Sequence, residues 1–186
     1  MSEQHPLIDL NGMIHIAIVV NDVKKAAAEW SKWTGIPVEK MNLRLKGITK
    51  GEAKDPRNHY RGDYDYGTDE GYGFWEADVD FPNGLRMELI QPEQEKGPFR
   101  EYYEKHGTGI HHIAFRCGDD SDVLNDALKE AGYPYIVDTY HLNLDRWPVH
   151  DTEEIMGTNL CIKPGNQPLP RLISLFHPYC TKTIQI

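Results

Sequence analysis

The sequence predicts an α+β fold: two tandem βαβββ modules whose strands form a curved mixed sheet around a central metal or ligand pocket. Three observations predict it. The chain reads His-Ile-Ala twice, at His15-Ile16-Ala17 and His112-Ile113-Ala114, each time inside an apolar run with strand character. A helical pattern follows each run and ends at Gly35 in one copy and Gly132 in the other. Each glycine lies 20 residues after its histidine, and each is followed two residues later by proline. Beyond each helix come further short apolar strands. An offset of 97 residues shared by strand, helix, glycine and proline marks an internal duplication. Two halves meeting across a pseudo-twofold would bring the two imidazoles together, a usual way to build a metal site.

Composition sets the outer limits. A chain of 186 residues can bury a real core, as one compact domain or two small fused modules. A net charge of −9 argues against nucleic acid as a partner, because phosphate backbones need a basic surface. No apolar run approaches the roughly 20 residues of a membrane span. Met1 to Asp9 lack the apolar core of a signal peptide. Cys117, Cys161 and Cys180 are scattered, without Cys-x-x-Cys spacing. The expectation is a reduced, cytoplasmic protein with no disulfide framework.

Residues 1–11 are a lead-in, and residues 12–92 are the first module. Its opening strand, from Met13 to about Val20, alternates His15, Ala17 and Val19 against Ile14, Ile16 and Ile18. The branched face suits a helix, which leaves His15 toward a pocket. The helix, about Val23 to Thr34, is capped by Asn21 or Asp22 and stopped by Gly35. Its stripe is Val23, Ala26, Ala27, Trp30 and Trp33. Residues 38–71 hold one strand within Val38 to Ile48, then a Gly-, Asp- and Tyr-rich stretch that is either a solvated loop or a pocket rim.

A hairpin closes the module, and its register follows from its faces. A three-residue Pro82-Asn83-Gly84 loop sets Phe81 opposite Leu85, Val79 opposite Met87 and Ala77 opposite Leu89. A two-residue loop would pair Val79 with Glu88 and mix the faces. In the three-residue register Glu76, Asp78 and Glu88 share the face turned from the core.

Residues 93–108 form a linker with a short helix at Pro98 to His106, ended by Gly107. The second module spans 109–178, with a tail at 179–186. After its first strand, Asp119, Asp120 or Ser121 caps a helix, and a strand near Tyr135 to Thr139 follows. The stretch His141 to Thr158 is atypical and carries Trp147, His150, Glu153 and Glu154 as candidates for a loop over the pocket. The last two strands are placed near Asn159 to Lys163 and Arg171 to Phe176. His111, one residue from His112, is expected on the opposite face as a packed or hydrogen-bonded side chain.

The duplication, the strand Arg86-Met87-Glu88-Leu89-Ile90-Gln91-Pro92, the Pro98–His106 helix and Gly107-Thr108-Gly109-Ile110-His111-His112-Ile113-Ala114-Phe115 together resemble the vicinal oxygen chelate superfamily, most closely its methylmalonyl-CoA epimerases. The likeness covers residues 12–139 and weakens beyond. In that family each module supplies two metal ligands, one from its first strand and one from its last. The resemblance therefore implies a divalent ion (cobalt, nickel, manganese, zinc or iron) on His15, Glu88 and His112. Two imidazoles and a carboxylate suit a transition metal and leave positions open. The fourth place falls on Ser174, where relatives carry a glutamate, so water or the 141–158 stretch is expected to fill it. Gly73-Phe74-Trp75-Glu76 matches the family's setting for a catalytic glutamate and makes Glu76 the candidate base.

What the resemblance implies about activity is an isomerase or lyase of the epimerase or glyoxalase type. It would abstract a proton next to a carbonyl of a small oxo-acid or acyl thioester, with the metal stabilising the enolate. Two other classes fit the same residues: a non-haem metal dioxygenase and a non-catalytic small-molecule-binding protein of the resistance type. By analogy with relatives, a homodimer is expected.

Overall fold

The computed structural model describes residues 8–48, 57–60, 72–93, 97–140 and 146–165. In chain order the elements are β1 (Met13–Val19), α1 (Val23–Thr34), β2 (Arg44–Ile48), β3 (His59–Tyr60), β4 (Tyr72–Asp80) and β5 (Arg86–Pro92). They continue with α2 (Pro98–His106), β6 (Gly109–Arg116), α3 (Ser121–Glu130), β7 (Tyr135–Tyr140), β8 (Arg146–His150), α4 (Glu153–Met156) and β9 (Asn159–Lys163). The strands form one mixed sheet in the order β2-β4-β5-β1-β6-β9-β8-β7-β3.

The two halves of this order mirror each other. β1 pairs in parallel with β5, and β6 pairs in parallel with β9. Between them β1 and β6 run antiparallel, with His15 opposite Ala114 and Ala17 opposite His112. Those two pairs exchange under the 97-residue offset, so the pseudo-twofold passes between them. The ladder skips one residue on each strand, Ile14 on β1 and His111 on β6, and these β-bulges also lie 97 residues apart.

Local chemistry explains the element ends. The Asp22 carboxylate accepts from the backbone N–H groups of Lys24 and Lys25 and so caps α1. Gly35, at φ 74°, takes the left-handed turn that ends it. Val23 and Ala27 are buried with Ala26 and Trp30 packed beside them, but Trp33 in the last turn is exposed under the Lys32 ammonium. The hairpin has its three-residue loop: Phe81 N–H donates to the Leu85 carbonyl at 2.9 Å, and Val79 faces Met87. Gly84 sits at φ 87°, a conformation that closes this loop without a Cβ penalty.

The apolar side chains divide among three places. Val79, Met87 and Leu89 pack under α1, and Phe115 and Ile162 pack against Leu124 of α3. The third cluster fills the opposite, concave face, where Phe74, Ile90, Phe99, Trp147, Val149 and Cys161 meet. Phe99 arrives there on α2, which Arg100 ties to the Pro92 carbonyl, Tyr102 to the Ile110 carbonyl and Tyr103 to Asn21.

Two expectations change. Within the stretch expected to be a loop, residues 146–158 are a structural part of the second module: β8 pairs with β7 and β9, and α4 follows. Asn159–Lys163 is the strand parallel to β6 and therefore the counterpart of β5. Arg171–Phe176 lies outside the described residues. From the rim segment, β3 joins the far edge of the sheet beside β7.

Leu89 is fully buried between β5 and α1. Leu89→Ala is expected to cost about 2–5 kcal/mol, read as a lowered urea midpoint at unchanged m-value.

Candidate metal centre

The pairing of β1 with β6 turns His15 and His112 toward each other on the concave face. Their Nε2 atoms lie 3.1 Å apart and both rings are buried. Two nitrogens each about 2.0–2.1 Å from one ion lie roughly 2.9–3.4 Å apart, so this spacing suits a shared divalent metal. Glu88 reaches in from β5, with Oε1 3.3 Å from His15 Nδ1. Donor atoms of His15, Glu88 and His112 all fall within 4.8 Å of one another.

Burial, reinforced by Lys163, Lys46 and Arg86, holds His15 well below the usual histidine range. Burial, then His111 and His15, do the same to His112. Both imidazoles are therefore neutral near pH 7, the form that ligates. Burial pushes Glu88 up. A cation at this place would compensate that cost.

A second carboxylate group adjoins the first and shares Glu88 with it. Glu76, Asp78 and Glu88 also offer oxygens within 4.8 Å of one another. Here the cations are built in. Arg44 on β2 contacts Glu76 and bonds Asp78 at 2.8 Å, Lys46 lies 3.1 Å from Glu76, and Arg86 lies 3.5 Å from Asp78. Burial raises Asp78, but Arg44 and Arg86 outweigh it and hold the carboxyl below its ordinary range. Burial, then the charge on Glu88, push Glu76 up to about 7, against the pull of Lys46 and Arg44. Glu76 is thus a buried carboxyl that gains and loses a proton near neutrality.

Of the anticipated loop residues, only Trp147 joins the site. Its ring centroid lies 6.1 Å from that of His112 and 5.1 Å from that of Phe99. His150 lies three residues further along β8 and faces the other side, where it bonds the Tyr133 carbonyl and Asn125 of α3 at 2.8 Å each. Glu153 binds His106 at 2.6 Å at the end of α2, and Glu154 is exposed. Period-two alternation separates His150 from Trp147, and α4 directs the glutamates away from the sheet.

The fourth position also changes hands. Ala17 pairs with Glu88, and its counterpart Ala114 pairs with Cys161. Cys161 therefore stands where the second module's glutamate was expected, and Ser174 lies outside the described residues. The Cys161 side chain is buried but is not part of the three-residue donor group. A thiol ends one bond beyond Cβ, whereas a glutamate oxygen ends three bonds beyond, so Cys161 cannot span the distance that Glu88 covers from the mirrored place.

Sequence reasoning missed His111. Strict alternation sends it to the helix side, but the bulge turns it to the concave side, where its Nδ1 lies 2.8 Å from Nδ1 of His112. It also missed the cations Arg44, Lys46 and Arg86. The alternation of β2 and β5 against Glu76 and Asp78 was a signal available for them.

The concave face fits a bound ion or polar ligand in a further respect. Among the described residues, Asp78 Oδ1 and Asn159 Oδ1 are buried and meet no hydrogen-bond partner. Asp78 faces Glu88 across the hairpin, and Asn159 pairs with His112. Buried polar atoms of this kind are normally met by water, an ion or a ligand.

Comparison with known proteins agrees with this architecture. Residues 14–149 match the Glyoxalase/Bleomycin resistance protein/Dioxygenase superfamily, and the chain belongs to it. Among solved structures it resembles methylmalonyl-CoA epimerase from Mycobacterium tuberculosis, at 17% identity and a TM-score of 0.53, covering 89% of this chain and 95% of that one. It also resembles a Streptomyces coelicolor methylmalonyl-CoA epimerase in complex with 2-nitronate-propionyl-CoA, at 15% identity and a TM-score of 0.54, covering 83% and 97%. A hypothetical protein from Bacillus halodurans matches at 18% identity and a TM-score of 0.51, covering 84% and 95%. No curated protein matches the chain by sequence.

The position of Glu76 sets a pH dependence. The folded chain keeps a proton that the unfolded chain releases above about 4.5, so this contribution to stability is complete below that pH and is lost as pH rises through about 7. Glu76→Gln is expected to flatten the decline of Tm between pH 5 and 8 and to give its largest relative gain at the alkaline end, measured by calorimetry across that range.

Proposed function

We propose that this protein is a divalent-metal-dependent isomerase or lyase that moves a proton on the carbon next to a carbonyl. The observation that carries the reading is the meeting of His15, Glu88 and His112 in one buried group, with Glu76 beside Glu88 and poised near neutrality. His15, Glu88 and His112 would hold the ion. When bound, it would supply Lewis-acid stabilisation of negative charge on substrate oxygens. Glu76 would take and return the proton, with Arg44 and Lys46 holding its carboxylate in place. The cluster of Phe74, Phe99 and Trp147 would keep water from the reacting carbon.

The substrate class that fits is a small oxo-acid or a branched acyl thioester. Support comes from the carboxylate–cation array around Glu76 and from similarity to epimerases solved with methylmalonyl-CoA and 2-nitronate-propionyl-CoA. A non-haem iron dioxygenase is the second reading. It is favoured by the count of three protein donors, two imidazoles and one carboxylate, which leaves coordination positions open.

Metal analysis of protein purified without chelator tests both. About one equivalent of divalent metal per chain is expected, lost in His112→Ala with the far-UV spectrum unchanged. In deuterium oxide the wild type should exchange the proton next to the carbonyl of a 2-methylmalonyl-type thioester or an oxo-acid. Glu76→Gln should slow that exchange about 10²–10⁴-fold. Iron in the purified protein, with oxygen uptake and no exchange, would replace the isomerase by the dioxygenase.

A further inference from the structure

The duplication treats the two histidines alike, but their second nitrogens meet different partners. His15 Nδ1 lies 3.3 Å from Oε1 of Glu88, a carboxylate that the metal reading also uses as a ligand. The place mirroring Glu88 is held by Cys161, a thiol where the first module has a carboxylate. His112 Nδ1 instead meets Nδ1 of His111 at 2.8 Å. The bulge makes this contact possible, and its counterpart on β1 carries Ile14, which has no such group. The His111 ring is itself held, with Phe99 at 4.9 Å and Tyr102 at 5.2 Å between ring centroids, and it is fully buried.

We infer that His111 is the positioning residue of the second module. It accepts a hydrogen bond from Nδ1–H of His112 and thereby fixes the ring and the tautomer that present Nε2 to the metal. The inference rests on the metal reading above. A ligating imidazole that offers Nε2 must carry its proton on Nδ1, and that proton needs an acceptor within a buried site. A carboxylate or a carbonyl usually fills this role. Here the acceptor is a neutral imidazole contributed by the adjacent residue, which then carries its own proton on Nε2. The proton balance is neutral: the pair holds two ring protons, one on His112 Nδ1 and one on His111 Nε2.

The test compares cobalt(II) affinity in the wild type, His111→Phe and His111→Asn. Phenylalanine keeps the ring volume against Phe99 and Tyr102 but removes the acceptor, whereas asparagine keeps an oxygen near the place of Nδ1. His111→Phe should weaken cobalt binding about 10–100-fold, and His111→Asn should restore most of it. Equal affinity in wild type and His111→Phe would overturn the inference while leaving the metal centre intact. Failure of the wild type to bind cobalt would overturn the metal reading, and this inference with it. Should His111→Phe not fold, nitrogen-15 spectra of the histidines in the zinc-loaded wild type decide. A hydrogen-bond coupling from Nδ1–H of His112 to an unprotonated Nδ1 of His111 supports the inference, and a protonated Nδ1 on His111 overturns it.

Discussion

The antiparallel pairing of β1 with β6 is the constraint on which the rest depends. It carries the pseudo-twofold, it sets two histidines face to face, and it places the bulges at Ile14 and His111. Because β5 and β9 lie parallel to these two strands at matching registers, the same axis decides which residues approach the histidines from either side. A one-residue slip in this ladder would exchange His15 for Ile16 on the concave face and empty the site. The apolar packing on both faces opposes such a slip, with Val79 and Leu89 under α1, Ile162 under α3, and Ala17 and Ala114 in the concave cluster.

The two modules have the same backbone plan and opposite chemistry. Around the first, the concave face offers Glu76, Asp78 and Glu88 with Arg44, Lys46 and Arg86 between them. Around the second, the places mirroring Asp78 and Glu88 hold Val149 and Cys161, with Trp147 further along β8. The apolar side chains Trp147, Val149 and Cys161 share a buried cluster on the concave face with Phe74, Ile90 and Phe99. Burial is the leading cause of the raised Glu76 and Glu88 and of the lowered His15 and His112.

Much of this was legible in the residues, for reasons that can be stated. Asp22 and Gly35 bracket α1, and Pro98 and Gly107 bracket α2, because capping is local chemistry that the chain writes beside each helix. The hairpin register was legible because only one loop length keeps the apolar face of β4 against that of β5. His111 was misplaced because a bulge is a property of the pair of strands, and alternation along one strand carries no sign of it. β8 was read as part of a loop because Pro148 interrupts Arg146–His150, and its pairing with β7 and β9 is tertiary. That error displaced the last strand and led to Ser174 where the register sets Cys161.

The central position of β1 has a consequence for how the chain acquires its structure. Its neighbours are β5, about 70 residues downstream, and β6, about 100 residues downstream, so β1 is made well before either partner. Until Arg116 has left the ribosome, the run Ile14-His15-Ile16-Ala17-Ile18-Val19 has an unpaired hydrogen-bonding edge and no complete partner sheet. Contacts of such long sequence separation must bear their loop-closure entropy before they return any stability, which places this fold among the slow ones. The apolar segment that aligns the histidines is thus open to wrong partners during synthesis.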